Sequence, residues 1–149
     1  MIKRINDKWF KHKDELLEVI KHDENITECD YTYLVKLIVK HIINSGDTGL
    51  LYSEDITAFG ADDYQGRVVF ILNPEENDEG SYVIATYEDY GSCSVCDTLL
   101  GIQYDLYYDE EPADKNQAYE DLMTLCLHLV QNMRYIAPYN WGKDGEYGG

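Results

Sequence analysis

A chain of 149 residues with 29 Asp and Glu against 12 Lys and Arg carries a formal charge of −17 at pH 7. The length fits one domain able to bury an ordinary core, and the charge excludes direct recognition of duplex phosphates, which needs clustered Lys and Arg. No stretch approaches the roughly 20 apolar residues of a membrane span, and the start Met1-Ile2-Lys3-Arg4 lacks the apolar core and cleavage site of a secretory signal, so a cytosolic protein is expected.

The charge is not spread evenly. Residues 1–22 hold six basic and four acidic side chains, whereas residues 54–121 hold 18 acids and only Arg67 and Lys115 as bases. In chain order, Ile5, Trp9, Leu16, Leu17 and Ile20 fall between charged residues at helical spacing, which predicts an amphipathic surface helix over 5–22. Asp30 is a candidate N-cap for a second helix, in which Tyr31, Leu34, Val35, Ile38 and Ile42 recur at steps of three and four, with Ser45-Gly46 as its stop.

The period then changes. Glu54 to Phe59, Arg67 to Leu72 and Ser81 to Tyr87 are β-branched or aromatic runs separated by turn-rich segments, the pattern of an antiparallel meander. In the third run Tyr82, Ile84 and Thr86 alternate with Val83, Ala85 and Tyr87, so both faces are apolar enough to be covered, one of them by helices. From Asp114 a helix returns, with Ala118, Leu122, Leu125, Cys126, Leu129 and Met133 forming its buried stripe. The expected fold is α+β: a single domain over 1–136, its three-stranded antiparallel sheet packed with two N-terminal helices and one C-terminal helix. A glycine-rich, flexible tail is expected over 137–149.

Four cysteines are free thiols by default in a cytosolic protein. Cys93-Ser94-Val95-Cys96 follows a predicted strand and offers two thiolates at zinc-ligand spacing, yet a structural site needs four ligands. Completion would draw on Cys29, Cys126 or the histidines His12, His22, His41 and His128, none in a paired spacing, so Cys93 and Cys96 are weak metal candidates and no cofactor is expected. A redox role is opposed by Glu88, Asp89 and Asp97, whose charge raises a thiol pKa. The favoured reading is a Gly-Ser turn leading into a short helix, its sulfurs packed in the core. Acid clusters lack the alternating ligands and central Gly of a calcium loop. No nucleophile elbow, phosphate loop or zinc-protease helix is present, so no catalytic residue is proposed and the chain is not read as an enzyme.

What remains is the field. Acid and tyrosine on one surface suit a basic protein groove, since Tyr supplies contact area at low entropic cost and carboxylates steer a cationic partner. The candidate partner-binding residues are Asp62, Asp63, Glu75, Glu76, Asp78 and Glu79 in the loops, and Tyr107, Tyr108, Asp109, Glu110 and Glu111 before the last helix.

The string Tyr90-Gly91-Ser92-Cys93-Ser94-Val95-Cys96-Asp97-Thr98-Leu99, with Asp63-Tyr64-Gln65-Gly66 leading to Val68-Val69-Phe70-Ile71-Leu72 and with Leu122 to Leu129, resembles a family of small proteins of tailed phages and prophages of Gram-positive bacteria. The likeness covers roughly residues 54–136, and Val95 departs from the Gly that family members commonly place there. It implies action inside a bacterial host cell, as an anti-CRISPR or antirestriction protein. Such a protein would occlude the nucleic-acid groove of a CRISPR effector nuclease or restriction enzyme by mimicking DNA. The alternative is a phage regulatory or virion-associated module holding zinc at Cys93 and Cys96.

Overall fold

A computed structural model describes residues 2–46, 51–60, 66–75, 82–92, 97–108 and 111–138. Helix α1 (Ile2–Lys21) buries Ile5, Trp9, Leu16 and Ile20 on one stripe, as its spacing predicts. Helix α2 (Tyr31–Ile38) starts at Asp30, whose carboxylate accepts the Tyr33 backbone N–H at 2.9 Å. It continues as one π-helical turn, Val39–Ile43. The buried Lys8 of α1 closes that turn by donating to the carbonyl oxygens of Ile43 at 2.6 Å and Ser45 at 2.7 Å. A cation there meets the negative end of the helix dipole and the carbonyls that a helix end leaves open. Gly46 follows with φ of 71°, in accord with the predicted stop.

The sheet has four strands in the order β1-β2-β3-β4, each antiparallel to its neighbour: β1 (Thr57–Phe59), β2 (Gly66–Leu72), β3 (Tyr82–Tyr90) and β4 (Arg134–Pro138). Register pairs Val68 with Glu88, Phe70 with Thr86 and Leu72 with Ile84. Those six residues share one face, and all but the half-buried Glu88 are buried. Thr86 spends its hydroxyl on the Leu129 carbonyl oxygen at 2.5 Å, which ties the sheet to the last helix. On the opposite face Val69, Ile71 and Tyr87 are half-buried and Phe59 is exposed.

Helix α3 (Thr98–Tyr108) and helix α4 (Pro112–Gln131) pack on each other, and α4 also lies against α1, α2 and β3. One contiguous core draws side chains from all four helices and from the sheet.

Two elements correct the sequence expectation of three strands and three helices. Helix α3 stands where the sequence suggests a short helix after a Gly-Ser turn, but it is not among the expected three because its apolar residues serve two faces: Leu99, Ile102 and Leu106 are buried, while Leu100, Tyr104, Tyr107 and Tyr108 are exposed. Such a segment has no single apolar stripe, and Gly101 weakens its propensity further. Strand β4 escaped because its five residues, ending in Pro138 and following closely on a strong helix, are too few to establish alternation; it pairs with β3 up to Pro138. As the sheet's edge strand it tolerates a terminal proline.

Candidate functional site

Helix α3 is held from its first turn. The buried Asp97 carboxylate accepts the Leu100 backbone N–H at 3.0 Å and the Tyr31 hydroxyl at 2.9 Å through Oδ1, and the Gly91 N–H at 2.7 Å through Oδ2. Tyr31 in turn accepts the Leu99 N–H at 3.2 Å. One carboxylate thus joins α3, α2 and the end of β3. Burial pushes the Tyr31 hydroxyl well above the usual phenol range; the Leu99 N–H opposes this and Asp97 reinforces it, so Tyr31 remains a donor at any working pH. One turn on, Gln103 donates to the carbonyl oxygens of Cys29 at 2.8 Å and Ile26 at 3.0 Å, fixing the buried side of α3 against the segment before α2.

With that side fixed, the other faces outward. Leu100, Tyr104, Tyr107 and Tyr108 follow at steps of four, three and one, so they lie along one side of the helix. Tyr107 is 72% exposed, Tyr108 62% and Tyr104 53%. The rings pack on one another, Tyr104 against Tyr108 with centroids 4.5 Å apart and Tyr107 against Tyr108 at 4.9 Å. Large aromatic rings that touch each other while open to solvent form a pre-organised contact platform. Asp105 on the same helix and Glu111 just after it are exposed carboxylates.

A cavity of about 400 Å³ opens beside the first half of α3. Val68 and Phe70 from β2 and Leu99 from α3 supply apolar wall, and Tyr31 and Tyr90 supply aromatic wall. Glu28, Asp30 and Asp97 are its ionisable carboxylates, and no described Lys, Arg or His lines it. Leu100 belongs both to this lining and to the exposed stripe. Cys29 also reaches the cavity; burial, with the charges of Asp30 and Asp23, pushes its thiol up to about 12. The fully buried Cys126 is pushed up to about 12 by burial as well. Both are protonated at neutral pH and poor nucleophiles in that state.

Of the expected partner-binding residues, Tyr107 and Tyr108 are the exposed last residues of α3, and Glu111 is the exposed N-cap of α4. Tyr107 and Tyr108 stand before the last helix, as expected. Glu75 is half-buried elsewhere, its N–H donated to the Leu51 carbonyl oxygen at 2.9 Å beside the Tyr52–Pro74 bridge. Asp62, Asp63, Glu76, Asp78, Glu79, Asp109 and Glu110 lie outside the described residues, as do Cys93 and Cys96. Among the described residues no group of three or more His, Cys, Asp or Glu could hold a metal ion. No described helix is long and apolar enough to cross a membrane. Sequence reasoning missed Leu100, Tyr104 and Asp105 as site residues; the four-residue step from Leu100 to Tyr104 becomes legible once α3 is recognised as a helix.

Comparison with protein-family models, with curated proteins and with solved structures finds no match to this chain.

Proposed function

We propose that this chain is a non-catalytic, phage-encoded inhibitor that occupies the basic nucleic-acid groove of a bacterial defence enzyme, such as a CRISPR effector nuclease or a restriction enzyme. The observation that carries the reading is the platform of Tyr104, Tyr107 and Tyr108, exposed and ring-packed, with exposed carboxylates at Asp105 on the same helix and Glu111 just after it. Aromatic anchors in an acidic surround match a groove lined with Lys and Arg, where rings stack under guanidinium groups and carboxylates replace phosphates. The likeness of the Tyr90–Leu99 string to phage proteins supports the cellular setting, and the acid content of residues 54–121 supports the sign of the partner.

The test is phage plating. Expressed in bacteria that carry a CRISPR or a restriction system matched to an infecting phage, the chain restores plaque formation, and the variant with Tyr104, Tyr107 and Tyr108 all changed to Ala, soluble and folded, fails to do so. Equal plating by the two proteins on every defence strain would remove the platform from the mechanism.

A second reading, a phage regulatory or virion-associated module with zinc at Cys93 and Cys96, draws support from Cys29. Its cavity is also lined by Tyr90 and Asp97, which flank the Cys93–Cys96 segment in sequence. One equivalent of zinc in protein purified without chelators would favour it over the first.

A further inference from the structure

We propose that the cavity and the exposed stripe of α3 form one continuous docking groove, and that its occupant is a Lys- or Arg-rich segment of a protein partner whose apolar side chain enters the cavity. The inference deepens the inhibitor reading and rests on it. Leu100 is the join: it lines the cavity and is 39% exposed on the stripe that leads to Tyr104, Tyr107 and Tyr108. At 1.5 Å of rise per residue, Leu100 and Tyr107 are about 10 Å apart along α3, a length that about three residues of extended chain cover. A segment with an apolar residue in the cavity therefore carries the residues that follow it across the tyrosine rings.

The lining selects the anchor. Its volume falls within the roughly 300–1,000 Å³ of ligand pockets, and Val68, Phe70 and Leu99 offer it apolar wall. Asp97 already accepts three hydrogen bonds within the fold, so it contributes negative potential without requiring a partner from the occupant. Glu28 and Asp30 are exposed, so their carboxylates meet the basic residues that flank the anchor. Asp105, exposed on the same helix, and Glu111, exposed at the start of α4, add to the negative charge offered to a basic segment. With no described cation in the lining, an anionic ligand such as a nucleotide has no counter-charge there.

Two fluorescein-labelled peptides test the groove by anisotropy: Arg-Arg-Phe-Gly-Arg-Arg-Lys, and the same peptide with Gly in place of Phe. Burying one aromatic side chain predicts that the Phe peptide binds roughly tenfold to a hundredfold more tightly. It also predicts that the backbone amide resonances of Leu99, Leu100 and Gln103 shift only with the Phe peptide. Ala58, exposed and lining the cavity, provides the filling variant Ala58→Phe, and the exposed Leu100 provides Leu100→Lys, which sets a like charge at the join. Each is expected to close the gap between the peptides. Equal, salt-sensitive binding of both peptides to the unmodified protein would overturn the cavity's role and leave the acid and tyrosine surface standing; no binding of either at low salt would overturn both.

Discussion

Asp97 shows how much one residue settles. Its carboxylate caps α3, receives a phenol from α2 and receives a backbone donor at the end of β3. Asp97→Ala removes a helix cap and leaves the Tyr31 hydroxyl and the Gly91 N–H to find other partners, so a loss of about 2–4 kcal/mol in urea unfolding is expected. A loss below ~1 kcal/mol would show that α3 is held by packing alone. Glu88 is the converse case, a carboxylate on the core-facing side of the sheet opposite Val68. Burial raises its pKa, the Asp89 backbone N–H and His128 oppose that, and the charges of Asp89 and Asp97 add to it. An acid whose folded pKa lies above its unfolded one loses stability as pH climbs from the ordinary Glu value through the raised one. Glu88→Gln is therefore expected to stabilise the protein at neutral pH by up to about 1 kcal/mol after solvent screening. The gain should vanish below about pH 4, where both states are protonated. A gain that stays constant from pH 3 to pH 7 would show that charge is not its cause. Asp30 was legible as a cap from sequence because capping is local; the Asp97 partnerships were not, because Tyr31 lies 66 residues away in the chain.

Elements were legible where one face is apolar and the other polar. Helix α2 buries Tyr31, Leu34, Val35 and Ile38, and α4 buries Ala118, Leu122, Leu125, Cys126 and Leu129, as their spacing predicts. Strand β2 alternates buried Val68, Phe70 and Leu72 with half-buried Val69 and Ile71. Helix α3 was legible only as a short helix after a Gly-Ser turn, because apolar residues on both its buried and its exposed side blur the stripe. The turn after β1 depends on Gly60, whose φ is +90° and whose missing Cβ would lie 2.5 Å from the Arg67 carbonyl oxygen. Gly60→Ala is expected to cost about 1–3 kcal/mol, because both the left-handed backbone and the close approach oppose a side chain. Unchanged stability in urea would mean that this turn relaxes without strain on the β1–β2 pair.

At the scale of the whole molecule, the charge of −17 read from composition is the basis for proposing a cationic partner and does not by itself propose a contact surface. In the fold Asp97 and Gln103 pin one side of α3 and leave Leu100, Tyr104, Tyr107 and Tyr108 along the other, the surface proposed for contact. Sequence alone proposed Tyr107, Tyr108 and Glu111; Tyr104, a tyrosine in the same acidic company, joins the candidate site only through helical geometry. The measurement that tests the account most directly is capture of partners from host lysate on the tagged chain at low and at high salt, with the bound proteins identified by mass spectrometry. The account predicts capture of a nuclease or restriction subunit that falls away at high salt and is displaced by duplex DNA. Capture indifferent to both salt and DNA would contradict groove occlusion.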